Sequence, residues 1–181
     1  IICMGIPGTI DNDLGYTDYT LGFDTAVNTV LDAMNKIRDT MTSHDRACII
    51  EVMGRHCGDI ALYSGIAGGA ESIIVPELPF DINEICDKMK KNIIKGKISD
   101  IIVLAEGVGN CVDLKKEISE RTGITIRTVK LGYIQRGGTP SMQDRVLASR
   151  CADRAVELLY KDSKESKVIG IKRNKIIDLP I

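Results

Sequence analysis

The sequence predicts an α/β fold: a mostly parallel sheet with helices on both faces. Three observations carry this reading. Short β-branched runs alternate with segments of helical period along the chain. The stretches between successive runs are about ten residues or longer, the length a parallel crossover needs and a hairpin does not. Four of the runs lead into polar, glycine-bearing loops, where ligands sit in open α/β sheets, beyond the carboxyl ends of the strands.

The elements follow in order. Ile1-Ile2-Cys3 reads as the inside of a strand. Phe23, Ala26, Val27, Val30, Leu31, Met34 and Ile37 recur at spacings of three and four, making 22–39 an amphipathic helix. Ala47 to Val52 is apolar apart from Glu51 and runs into Met53-Gly54-Arg55-His56-Cys57-Gly58, a buried strand entering a loop. Asp59 is placed to N-cap a helix from Ile60 to Ala67, which Gly68-Gly69 ends. Ser72 to Val75 is a strand stopped by Pro76. Asp81 opens a helix to about Ile94, with Lys95 and Lys97 where cations suit the helix dipole. Ile101 to Ala105 is a strand, 112–121 a charged helix closed by Gly123, and Ile124 to Lys130 an alternating strand. Leu131 to Pro140 is a glycine-rich loop, Met142 to Tyr160 a helix, and Lys167 to Ile171 a last strand. With no repeat or linker, 1–181 reads as a single unit.

Composition narrows the function classes. Twenty-four Lys and Arg against 25 Asp and Glu leave a net charge of -1, without the basic footprint that nucleic acid or an anionic membrane requires. No apolar run reaches the roughly 18 residues of a membrane helix, since Glu71 interrupts the closest candidate. The 6 cysteines are scattered without a C-x-x-C pair, which fits neither a zinc site nor a disulfide scaffold and predicts a reduced, cytoplasmic protein. A start without Met, inside a strand-like segment and without a basic leader, predicts a partial chain.

Chemistry is expected in four loops. In Pro7-Gly8-Thr9-Ile10-Asp11-Asn12-Asp13, two carboxylates and a hydroxyl fit a base, a metal ligand and a positioning group, although a bare D-x-D more often marks an Asx-rich turn. An EF-hand fails, because the position requiring Glu is Gly22. In 53–59, Gly54 and Gly58 flank Arg55, whose planar fork suits phosphate. Glu106 ends an apolar strand and must be solvated, paired or bound to a ligand hydroxyl. In Leu131–Pro140, Arg136 precedes Gly137-Gly138, whose backbone N–H groups are open to an anion. With Arg46 and Arg127 at strand ends, four arginines lie near these loops and favour a phosphorylated ligand. No Walker A, G-x-G-x-x-G or G-x-S-x-G pattern is present.

The motifs PGTIDND, MGRHCGD and LGYIQRGGTP, with DR shortly after and IAGGAE, KGK and LAEG between them, stand in order at uniform spacing. In these the chain resembles the ATP-dependent 6-phosphofructokinases of bacterial type. The resemblance implies a phosphofructokinase-like fold, incomplete at both ends, and transfer of the ATP γ-phosphoryl group to the 1-hydroxyl of fructose 6-phosphate. Asp11 would be the general base. Thr9, Ile10 and Asp11 would meet the acceptor, Asp13 would help hold Mg2+, and Met53, Gly54 and Arg55 would form the next stretch, Arg55 also neutralising charge in the transition state. Glu106 would bind sugar hydroxyls. Arg46, Arg127, Tyr133, Ile134, Gln135 and Arg136 would surround the 6-phosphate, with Arg46 and Arg127 reaching in from an adjacent subunit of a homotetramer. Arg38, Gly69, Ala70, Glu71, Lys95, Lys97, Ile98 and Ser99 would belong to an allosteric nucleotide site.

Two departures from the pattern, and one agreement with it, bear on this. Tyr133 stands where His is common, and Lys95 where Arg is common, replacing a fork with a point charge. Gly8 stands where pyrophosphate-using relatives carry Lys, which favours ATP. The nucleotide loops of the family would lie upstream of Ile1, so the 181 residues alone are expected to be inactive. The alternatives are a pyrophosphate-dependent enzyme and a non-catalytic sugar-phosphate-binding regulatory subunit; the retained Asp11, Asp13 and Arg55 argue against the latter.

Overall fold

In a computed structural model, which describes residues 1–42, 47–97, 99–161 and 164–181, the strands divide between two sheets. The larger is formed by β2 (Ala47–Val52), β3 (Ser72–Ile74), β4 (Ile101–Ala105) and β5 (Ile126–Lys130), in the order β3-β4-β2-β5. Every neighbouring pair in it is parallel, as the spacing predicts. The connection from β4 to β5 passes across β2, so β2 is central and its carboxyl end opens between two loops.

Both faces of this sheet are covered. Cys48, Ile50 and Val52 of β2, with Ile101, Val103 and Ala105 of β4, pack on α1 (Phe23–Thr42) and α2 (Asp59–Ala67). The alternate residues, Ala47, Ile49, Ile102 and Leu104, pack on α3 (Ile82–Ile94) and α4 (Cys111–Thr122). Burial on both faces is why β2 and β4 read as continuous apolar runs rather than alternating ones. Asp81 and Asn110 cap α3 and α4 through their side chains, and Gly123 ends α4 in the left-handed region, φ 72°.

The smaller sheet joins β1 (Met4–Gly5), β6 (Lys167–Lys172) and β7 (Lys175–Pro180), with β6 parallel to β1 and antiparallel to β7. Its core is Leu147, Cys151 and Leu158 of α5 (Met142–Tyr160) against Ile169 and Ile171. Asp144, in the first turn of α5, accepts from the backbone N–H groups of Gly22 and Thr25, both at 2.9 Å. One buried carboxylate thereby caps the start of α1 and fastens the two halves of the chain together.

Three expectations change. The sequence reading ends at one sheet, whereas β6 and β7 close as a hairpin over Arg173 and Asn174, φ 49° and 60°, in a second one. Asp59 is not the N-cap of α2: that position is Gly58, whose N–H donates to Glu77 Oε1 at 2.6 Å. The glycine-rich loop contains a 3₁₀ turn over Gly132–Arg136. Among the described residues, no helix is long and apolar enough to cross a membrane, and all six cysteines are free thiols.

Candidate active site

The four loops follow the carboxyl ends of β1, β2, β4 and β5, and the structure stitches them to one another. Glu106 N–H donates to Val52 O at 2.9 Å and Gly107 N–H to Gly54 O at 3.1 Å, joining the loops after β2 and β4. Met53 N–H donates to Gln135 Oε1 at 3.1 Å, joining the loops after β2 and β5. The contact between the first pair is too close for side chains. A Cβ on Gly54, whose φ is 133°, would lie 2.5 Å from Cys57 O, and one on Gly107 would overlap Arg55 O. Gly107 is therefore required where the loop after β4 meets the loop that carries Arg55, and Gly54 for the turn within that loop.

The loop after β1 carries Asp11 on a tight turn. Asp11 N–H donates to Thr9 Oγ1 at 3.2 Å, and the Thr20 hydroxyl donates to Thr9 O at 2.6 Å. Asn12 adopts a left-handed backbone, φ 58°, which Asn tolerates better than most residues. Its Nδ2 donates to Asp59 Oδ2 at 2.8 Å, and its Oδ1 accepts from Thr20 N–H at 3.0 Å. The turn that carries the two carboxylates is thus held by Thr9, Asn12 and Thr20 rather than by an Asx-turn of Asp11 or Asp13.

Charge converges on Asp11. Partial burial raises its pKa, the Asp13 and Glu106 carboxylates raise it further, and Arg136 and Arg55 oppose them. Residues from four separate loops thus act on one half-buried carboxyl in the loop after β1. Arg136 lies over the Tyr133 ring, 5.2 Å from its centroid, so the phenol supports the guanidinium from an exposed position.

Beneath these groups lies a buried support. Glu51, the lone acid in the β2 run, is 3% exposed; its Oε1 pairs with Lys130 Nζ at 2.5 Å and its Oε2 accepts from Cys111 N–H at 3.1 Å. Burial pushes its carboxyl up, but Lys130, the Cys111 thiol and the Cys111 N–H outweigh that and hold it below the usual range. The same burial and the Glu51 carboxylate push the Cys111 thiol up to about 11. Glu51 O also accepts from Leu131 N–H at 3.1 Å, so one residue braces β2, β5 and the start of α4.

Sequence-predicted residues fall into distinct groups. Thr9, Asp11, Asp13, Arg55, Glu106, Tyr133 and Arg136 are exposed or half-buried on the four loops, and Ile134 is exposed beside Tyr133. Met53, Gly54 and Ile10 are wholly or partly buried and shape the loops from beneath. Gln135 is 1% exposed, with Nε2 donating to Gly132 O at 3.0 Å and Oε1 occupied by Met53, so it braces two loops. Arg127 pairs in register with Cys48, exposed and about 10 Å back along β5 from the loops. Arg46 and Ile98 lie outside the described residues.

A second group gathers at the opposite end of the sheet. Arg38 donates to Gly68 O at 2.5 Å and Gly69 O at 3.2 Å. Glu71 pairs with Lys97, accepts from Ile101 N–H, and through its carbonyl accepts from Lys88. Lys95 is exposed at the end of α3, Ser99 lies beside Lys97, and Ala70 is half-buried between Gly69 and Glu71.

Reasoning from sequence overlooked Asn12, Glu51, Gln135 as a brace, Glu77 and Lys88. The signal for Glu51 was available, because a lone acid in a buried run must find a partner. Gln135 carries no such signal, since nothing local separates a buried brace from a ligand contact.

A carboxylate among arginines at the carboxyl ends of parallel strands places the chain in a class: α/β proteins with a charged loop cluster at the position where such sheets hold ligands. Residues 1–159 match the family described as Phosphofructokinase, and the chain belongs to that family. It is 62% identical over 178 residues to the ATP-dependent 6-phosphofructokinase of Alkaliphilus metalliredigens and 61% identical to that of Clostridium tetani, each match covering 98% of this chain and 56% of the relative. The chain thus spans about half the length of the curated relatives it matches. Among solved structures, phosphofructokinase from Saccharomyces cerevisiae superposes with a TM-score of 0.91 at 36% identity, over 99% of this chain and 25% of that one. A pyrophosphate-dependent phosphofructokinase from Marinobacter aquaeolei gives 0.83 at 26%, over 99% and 51%.

Proposed function

We propose that the protein containing this chain transfers the γ-phosphoryl group of ATP to the 1-hydroxyl of fructose 6-phosphate, yielding fructose 1,6-bisphosphate, with Asp11 as general base. The observation that carries this reading is the setting of Asp11: a half-buried carboxylate on a tightly bonded turn, facing Asp13, Glu106, Arg55 and Arg136. Phosphoryl transfer needs alignment and charge neutralisation more than covalent assistance. Asp11 accepts the hydroxyl proton, Arg55 stands over the transferred group, and Glu106 orients the sugar through its hydroxyls. Arg136 and Tyr133, with Ile134 beside them, receive the 6-phosphate, joined by Arg46 and Arg127 from a neighbouring subunit of a homotetramer. The fit to ATP rather than pyrophosphate is supported by Gly8, which stands where pyrophosphate-using relatives carry Lys.

Among the described residues no group of three or more His, Cys, Asp or Glu could hold a metal ion. That fits Mg2+ carried mainly by the donor's phosphates, with Asp13 as a single protein carboxylate. When bound, Mg2+ neutralises phosphate charge. We further propose a cytoplasmic, glycolytic enzyme regulated at the Arg38–Glu71–Lys97 end of the sheet.

The test is Asp11→Ser in the full-length protein, measured in a coupled assay. The expected outcome is a fall in kcat of roughly 10²–10⁴-fold with fructose 6-phosphate binding retained; unchanged turnover would refute the base assignment.

A further inference from the structure

We propose that Asn12 is a positioning residue: its side chain latches the Asp11–Asp13 turn to Asp59 at the start of α2, fixing Asp11 relative to Arg55. The proposal rests on the reading of Asp11 as the base and adds a residue to which that reading gives no task.

Three features support it. First, both ends of the Asn12 amide are engaged. Nδ2 donates to Asp59 Oδ2 at 2.8 Å and to Asp18 O at 3.3 Å, and Oδ1 accepts from Thr20 N–H at 3.0 Å. Second, the turn conformation depends on this residue type, because φ 58° excludes β-branched and bulky side chains while favouring Asn, Asp and Gly. Third, the far end of the latch is itself anchored. Asp59 opens α2 immediately after the Arg55 loop, and the preceding Gly58 N–H is held by Glu77 at 2.6 Å. The latch therefore joins residues 47 positions apart in sequence, one on each side of the Asp11–Arg55 gap. Misplacing a reacting group by about 1 Å costs on the order of 10²-fold in rate, so a latch at this point acts on kcat rather than on sugar binding.

The test exchanges donor and acceptor. Asn12→Asp keeps side-chain shape and tolerance of the left-handed backbone but sets a carboxylate against Asp59. In the full-length protein, kcat is expected to fall ~30-fold, with KM for fructose 6-phosphate within about twofold. Asp59→Asn, which still offers an acceptor, should cost no more than about threefold, and N12D/D59N, which restores the hydrogen bond with its polarity reversed, should recover kcat to within about fivefold. Asn12→Gly, which keeps the backbone freedom and deletes the amide, should match Asn12→Asp and covers the case in which that variant folds poorly. Hydrogen exchange at the Asp11 and Asp13 amides is read in the same proteins, rising in Asn12→Asp and returning in N12D/D59N. An undiminished kcat in Asn12→Asp, or a double variant no better than the single one, would overturn the latch. If the unsubstituted protein does not phosphorylate fructose 6-phosphate, the proposed function fails while the exchange data still decide the latch: unchanged exchange in Asn12→Asp rejects it.

Discussion

Glu51 and Asp11 stand near the same end of the molecule and are driven in opposite directions. Glu51 is almost wholly enclosed, yet an ammonium, a backbone N–H and a thiol hold it charged. Asp11 is only half-buried, yet burial and two neighbouring carboxylates push it toward the neutral form. The difference is one of partners, not depth. A carboxylate given donors becomes a permanent strut, whereas one given like charges stays available for proton transfer.

This contrast sets the sign of each effect. Glu51→Ala removes the brace under three elements and leaves Cys111 N–H without its acceptor. Unfolding by denaturant should show a loss of about 2 kcal/mol. Because the folded pKa of Glu51 is lowered, its contribution is complete above the unfolded carboxyl range and is lost as pH falls through the folded value. Asp11→Asn should do the reverse. The ionised Asp11 is disfavoured in the folded state, so neutralising it should raise the melting temperature slightly, on the order of 1 °C, while turnover collapses. Equal destabilisation by both variants would erase the distinction.

The smallest effect sharpens the comparison most directly. If Asp11 is the base, kcat rises with pH as it ionises. Glu106 raises the Asp11 pKa, so Glu106→Gln should move the acid limb of the kcat profile to lower pH, and Arg136→Gln should move it higher. A limb that stays in place in both variants would detach Asp11 from the charges around it.

Much of this arrangement is legible in the sequence where a local rule governs. The period of α1, the caps at Asp81 and Gly123, and the four loops after strands all follow from spacing and turn chemistry. What escapes depends on distant partners. β7 is hidden because its turn is Arg173-Asn174 rather than a glycine pair, and because Pro180 speaks against a strand. The N-cap of α2 is Gly58, held by Glu77 nineteen residues on, while Asp59 is drawn away to Asn12. The site residues fared similarly: exposed ones on the loops are visible as motifs, whereas the burial of Gln135 and the remoteness of Arg127 emerge only once the sheet is assembled.

The smaller sheet sets a timetable. All four strands of the larger sheet lie within the stretch 47–130, so it can form while synthesis continues. Among the described residues β1 pairs with β6, and Cys3 N–H meets Ser166 Oγ across 163 residues. At ribosomal speed that separation is a wait of roughly ten to thirty seconds. For that interval the edge of β1 that β6 will cover, on the strand leading into Asp11, stays open. The strand that leads to the candidate base is thus bonded to β6 only long after Asp11 itself has been made.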